Sequence, residues 1–226
     1  MPVTSRRSPS VTSRKQPRQA RSNDLVAAVL DAAVQVLAKE GAQRFTTARV
    51  AERAGVSVGS LYQYFPNKAA ILFRLQSDEW RRTSELLRSL LEEARSPPLM
   101  RLRQLTHAFL HSECEEAQVR MALNDAAPLY RDAPEAAEVR NAGANIFEIF
   151  VRNALPNAAA DVQLLAADLI RTTLSQVGSR FSQTPRAQAE IAAYADALAD
   201  MLCAYLERLM TQDRAELRTA TRVSVG

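Results

Sequence analysis

The sequence predicts an all-α chain, and three observations carry that expectation. Apolar residues recur at three- and four-residue spacing along most of its 226 residues. Alternating Val/Ile/Thr runs of the kind that half-buried strands need do not occur. Glycine is scarce, at 6, while alanine and leucine abound. With 47% hydrophobic and 24% charged residues the composition is that of a globular chain with ample material for a core.

Helix signals follow one another in order. Ser22 is placed to cap a first helix, with Asp24 in its positive first turn. Leu25, Val26, Val29, Leu30, Ala33 and Leu37 mark its inward face, and Gly41 is a natural stop. Thr46 caps a short second helix with Val50 and Ala51 inside, and Gly55 permits the tight turn that ends it. Ser57 caps a third short helix, which Pro66 ends. Asn67 caps a long fourth helix expected to reach about Ser96, before Pro97 and Pro98.

Beyond that break the helical pattern continues. Leu99, Leu102, Leu105 and Phe109 share a face, a shorter helix follows at about 119–123, and "DAAPLYRDAPE" reads as a loop. Pro134 opens a helix holding Ile146, Phe147 and Phe150, which Pro156 ends. A largely apolar helix is expected at about 161–181. Pro185 is expected to open a last one, with Ile191, Tyr194, Leu198, Met201, Leu202, Tyr205 and Leu209 on one stripe. Two such faces suit helix-on-helix packing, within the chain or between two copies.

Charge is unevenly spread. The net charge is +4, yet residues 1–75 hold 12 of the 29 Lys/Arg and only 4 of the 25 Asp/Glu. A polyanion-facing N-terminal part, with a different task for the remainder, is the expectation. Residues 1–21 carry no acid and read as a flexible basic arm. Cys114 and Cys203 lie far apart without metal-ligand spacing, which points to free thiols in a reducing cytoplasm. No apolar run approaches the ~18 residues of a membrane span, and no membrane partner is expected.

Two short helices joined by a glycine turn and braced by a longer one make a helix-turn-helix, whose second helix enters the DNA major groove. In "GVSVGSLYQYFPNK", residues 55–68, Ser57 and Ser60 offer hydroxyls for phosphates. Gly59 lets a backbone come close to DNA. Tyr62 and Gln63 have the reach to touch base edges. Leu61 and Phe65 would anchor the opposite face, Tyr64 is expected to place its hydroxyl on a phosphate, and Lys68 stands at a helix start that favours anions. Thr46 and Thr47 occupy a similar start one helix earlier, and Arg49 and Arg53 add field.

The stretch "FTTARVAERAGVSVGSLYQYFPNKAAIL", residues 45–72, resembles the DNA-binding region of the TetR family of bacterial transcriptional regulators. Shared features are the Phe-Thr-Thr start, the Ala-x-x-Ala-Gly-Val-Ser turn, Gly-Ser-Leu-Tyr, then Tyr-Phe and the Asn-Lys cap. The resemblance implies DNA contacts at Thr46, Thr47, Ser57, Ser60, Tyr62, Tyr64 and Lys68, with bases read at Val58, Gly59, Tyr62 and Gln63. Val58 departs from members with a polar side chain there, leaving only apolar contact such as a thymine methyl. Beyond the basic arm at 1–21, it implies a DNA-binding domain at 22–82 with its helix-turn-helix at about 45–65, and an effector-binding and dimerisation domain at 83–226. A homodimer held by the last two long helices would bind a pseudo-palindromic operator, and an unknown small-molecule effector would release it.

Within that second domain Asn145, Arg171 and Thr172 are candidate effector contacts, being polar residues inside apolar helices. His107, His111 and Glu115 fall at i, i+4, i+8 but on the side of Arg101 and Gln104, which reads as a solvated face rather than a metal site. No cofactor, metal or catalytic constellation is expected. The expected function is thus a cytoplasmic repressor. The alternatives are an activator of the same fold or an all-α small-molecule-binding protein or enzyme.

Overall fold

The computed structural model describes the backbone of residues 20–93 and 95–223 and the side chains of 22–93, 95–137 and 145–215. Among these the regular elements are all helices, so the all-α expectation holds. In order come α1 (Ala20–Arg44), α2 (Thr47–Ala54), α3 (Val58–Tyr64), α4 (Lys68–Leu91), α5 (Pro98–Glu115) and α6 (Ala117–Ala126). A single 3-10 turn, Ala127–Leu129, leads to α7 (Pro134–Ala154), α8 (Ala160–Phe181) and α9 (Gln188–Val223). The basic arm lies outside the described residues.

Several boundaries differ from expectation, each for a physical reason. Ser22 does not cap α1, because the helix already runs through Ala20. At the other end Gly41 (φ 74°, ψ 173°) interrupts the helical dihedrals as expected of a stop, although helix-like turns resume to Arg44. α4 ends at Leu91 rather than near Ser96: the Leu91 carbonyl receives Nη1 of Arg101 from the next helix, at 2.5 Å. The loop read at 125–135 is partly helical, since α6 runs on to Ala126 and Ala127–Leu129 makes a 3-10 turn. α9 begins three residues after Pro185, where the Glu190 carboxylate accepts the Ala187 N–H at 2.9 Å and satisfies a helix-start donor.

Two compact units divide the chain. The first comprises the chain up to Arg81 together with Gln118–Asn141. Its core joins Val29, Ala33 and Leu37 of α1, Phe45 of the connection that follows, Val50 and Ala51 of α2, Leu61 and Phe65 around α3, and Ile71 and Leu72 of α4. Leu123 and Tyr130 complete it. A polar strip crosses this core: Glu79, only 5% exposed, pairs with Arg120 at 2.7 Å and accepts Nε2 of Gln76 at 2.9 Å. The Tyr130 hydroxyl reaches Leu123 O at 2.8 Å and Gln76 Oε1 at 3.1 Å. Burial, and then the Glu79 charge, push that phenol above its ordinary range, so it remains a donor.

The second unit comprises Arg82–Ala117 and the chain from Ala142 onward. Leu102, Leu105 and Leu110 of α5, Phe150 and Val151 of α7, Ile170 and Leu174 of α8, and Leu198, Leu202 and Leu206 of α9 fill its core. Arg103 and His107 on α5 pair with Asp200 and Asp196 on α9, the His107–Asp196 contact being 3.1 Å. The His107 side of α5 is therefore not simply solvated, and Arg101 beside it is buried over the Phe150 ring. Asn157 donates its backbone N–H and its Nδ2 to the two oxygens of buried Asp213, at 2.9 and 3.1 Å. Cys203 is buried and Cys114 half-buried, and both are free; burial raises both thiol pKa values.

α8 crosses α5 closely at Gly178. A Cβ there would lie 2.8 Å from a Phe109 ring carbon and 3.0 Å from Cγ of Glu113. Gly178→Ala should therefore destabilise the protein by about 1–3 kcal/mol, the usual cost of overpacking, read as a lower urea midpoint by circular dichroism. An unchanged midpoint would show that the helices give way freely.

Candidate nucleic-acid interface

The surface around α2 and α3 is built by local capping first. Thr46 is extended and its Oγ1 accepts the Arg49 N–H, starting α2. Gly55, at φ 67° and ψ 28°, takes the left-handed turn that ends it. Ser57 then accepts the Ser60 N–H at 3.0 Å and starts α3, with the two serine hydroxyls 2.8 Å apart. Asn67 Oδ1 accepts the Ala70 N–H at 2.9 Å and places Lys68 at the first position of α4.

Tertiary contacts then aim these helices. Leu61, Tyr64 and Phe65, at i, i+3 and i+4, are buried and hold α3 down. Val58 and Tyr62 stay 40% exposed, and Gly59 and Gln63 lie on the open side. The Tyr62 hydroxyl lies 3.1 Å from Thr47 Oγ1, a bond between the outward edges of the two helices. A Cβ on Gly59 would meet only Ser57 Oγ, at 3.8 Å, so the protein's own packing does not require a glycine there.

Of the residues singled out from the sequence, Thr46, Thr47, Ser57, Val58, Gly59, Ser60, Tyr62, Gln63 and Lys68 are exposed or half-buried along α2, α3 and the start of α4. Tyr64 is the exception. It is 8% exposed and part of the core, because its spacing from Leu61 puts it on the anchoring face. Arg49 is committed to Glu40 and to the Arg44 carbonyl, and Arg53 donates to Gln35 at 2.7 Å, so both brace α2 against α1. The Thr47–Tyr62 bond was not legible in the spacing of residues fifteen apart.

In the second unit the three candidate effector contacts all lie on exposed faces. Arg171 and Thr172 both reach Asp168 one turn back, and Asn145 is exposed on α7. None of the three looks into the core as their apolar neighbours suggested. A hollow of about 510 Å³ opens elsewhere, where α8 turns into α9, with the rings of Phe181 and Tyr194 stacked at 4.1 Å inside it. The sequence signal for it is faint: an arginine on either side of Phe181, at 180 and 186. Among the described residues no three His, Cys, Asp or Glu side chains gather as a metal site, and no helix is long and apolar enough to cross a membrane.

Comparison with known proteins places this architecture. Residues 29–75 match the family model of bacterial regulatory proteins of the tetR family, and residues 97–209 match that of tetracyclin repressor-like C-terminal domains. The chain belongs to the TetR family. It is 30% identical over 142 residues to the HTH-type transcriptional repressor KstR of Rhodococcus jostii, a match covering 63% of this chain and 65% of that repressor. It is 43% identical over 47 residues to a fatty acid metabolism regulator protein of Bacillus subtilis, covering 21% and 24% of the two chains. The chain thus spans less than two thirds of the length of these curated relatives. Among solved structures, the fatty acid degradation regulator FadR of Bacillus halodurans superposes with a TM-score of 0.64 at 20% identity, over 83% of this chain and 97% of that one. FadR of Bacillus subtilis in complex with stearoyl-CoA gives 0.62 at 18%, over 78% and 97%. At these identities the likeness is one of TetR fold.

The two tyrosines of α3 should separate cleanly on replacement. Tyr64→Ala should lower stability by about 3 kcal/mol, as for other large buried aromatics. Tyr62→Ala should stay within about 0.5 kcal/mol of the parent, as an exposed position does. Urea titration of the two variants checks both, and equal losses would contradict the division of faces.

Proposed function

We propose that the protein is a cytoplasmic, sequence-specific DNA-binding repressor that binds a pseudo-palindromic operator as a homodimer and is released by a small-molecule effector. The observation that carries this reading is the outward row on α2 and α3. Thr47, Ser57, Ser60 and Tyr62 offer hydroxyls, Gln63 an amide, and Gly59 a bare stretch of backbone that the fold itself does not need. The hydroxyls and Lys68 meet phosphates and set the register; Gln63 and Val58 read base edges, the latter a thymine methyl. Tyr64 supports α3 from below rather than touching DNA.

In this reading the first unit binds DNA and the second binds the effector and the partner copy. Leu164, Leu165, Leu169, Tyr194 and Met201 expose apolar surface on α8 and α9, which a second copy would cover. A long-chain acyl thioester is the effector class we favour, by analogy with relatives whose names refer to fatty acid metabolism and to stearoyl-CoA. Linkage then requires effector and DNA to weaken each other by the same factor.

Fluorescence anisotropy with duplex DNA from the region flanking the protein's own gene tests the proposal. Tight binding should fall steeply with salt, and Lys68→Ala should reduce the logarithmic salt slope by about 0.9, one phosphate contact. Stearoyl-CoA should weaken the complex without unfolding the protein. Binding that ignores DNA sequence, at physiological salt, would overturn the reading.

A further inference from the structure

Four hydroxyls stand on the open side of α2 and α3, and they are joined two by two. Thr47 Oγ1, at the first position of α2, lies 3.1 Å from the Tyr62 hydroxyl near the end of α3. Ser57 Oγ, at the cap of α3, lies 2.8 Å from Ser60 Oγ. Each pair has one exposed member, Tyr62 or Ser57, and one half-buried member, Thr47 or Ser60.

Counting protons gives the pairs a direction. A hydroxyl carries one proton and accepts at two lone pairs, while an ionised acceptor such as a phosphate oxygen has none to give. In each pair one proton is spent on the neighbouring oxygen, so one remains to be given outward. Ser57 Oγ already accepts the Ser60 N–H at 3.0 Å. With the Ser60 hydroxyl as second donor both its lone pairs are filled, and its own proton is left to point away. A hydroxyl that accepts in this way is also polarised into a better donor. Water would serve such solvent-facing hydroxyls nearly as well, so neither hydroxyl–hydroxyl bond adds much to stability.

We propose that the four hydroxyls meet the DNA backbone as two aimed donors: Tyr62 and Ser57 donate to phosphate oxygens, while Thr47 and Ser60 hold them from behind. The inference rests on the DNA-binding reading above and divides its hydroxyls into contacts and positioning residues. Thr47 donates to the Tyr62 oxygen and fixes the phenol across the gap between α2 and α3. A phosphate bound at Tyr62 is thereby set in register against both helices. Ser60 does the same for Ser57 within α3. Holding each donor in place before DNA arrives removes part of the ordering cost of binding.

A double-variant cycle read by fluorescence anisotropy, on a duplex that the parent binds, tests this division. Tyr62→Phe should weaken binding about tenfold, as for one hydrogen bond to a charged acceptor. Thr47→Val should weaken it only about threefold, the cost of ordering one side chain, and Thr47→Ser should restore the parent's affinity. Thr47→Val/Tyr62→Phe should bind no more weakly than Tyr62→Phe alone, because Thr47 then has nothing to aim. Ser60→Ala added to Tyr62→Phe should instead multiply the losses, the two pairs being independent. None of these hydroxyls is charged, so the logarithmic salt slope should keep the parent's value throughout. Losses at Thr47 and Tyr62 that multiply, a Thr47→Val loss larger than that of Tyr62→Phe, a falling salt slope, or either single variant binding like the parent would overturn the pairing and leave DNA binding standing. A parent that prefers no duplex over another would overturn the DNA-binding reading itself.

Discussion

A helix of seven residues cannot persist in water on its own, since nucleation costs more than so few hydrogen bonds return. The surroundings of α3 answer that constraint. Ser57 supplies the missing acceptor at its first turn, and Leu61, Tyr64 and Phe65 fasten its underside into the core formed with α1 and α4. α2 is held in its turn by Arg49 and Arg53 against α1. With one face fully committed, the other is free to carry residues chosen for something outside the protein. Gly59 shows this most plainly, because nothing within 3.8 Å of its absent Cβ explains it.

The core under α3 is not made by the N-terminal residues alone. Glu79 is buried and needs Arg120, and Gln76 needs the Tyr130 hydroxyl, so α4 is sealed by a segment some forty residues further on. Removing either member of a buried ion pair strands the other charge, which generally costs more than the intact pair contributes. The unit that bears α2 and α3 therefore includes Gln118–Asn141, a stretch lying inside the region that matches the family's C-terminal domain. Cutting the chain after α4 would expose both the apolar bed and the Glu79 carboxylate.

What could be read in advance follows from the range of the interactions involved. Thr46, Gly55, Ser57 and Asn67 act as caps within three or four residues of themselves, and each does in the structure what its local sequence implies. Tyr64 lies inward, as its three-residue spacing from Leu61 on the helical wheel requires, although a hydroxyl alone suggests an outward role. The end of α4 depends on Arg101 ten residues ahead, and the bond between Thr47 and Tyr62 depends on how two helices cross. Neither is encoded in any local window. The polar residues of α7 and α8 are the hardest case: an arginine amid leucines can face in or out, and Arg171 faces out because Asp168 receives it there.

The central claim is that the open face of α2 and α3 reads DNA sequence in two copies. Selection of bound duplexes from a random library by the intact protein measures that most directly. Enrichment of an inverted repeat whose half-site centres lie about one DNA turn apart, roughly 34–36 Å, is the predicted result. A pool that stays random after repeated selection, or a single unrepeated half-site bound by one copy, would contradict it.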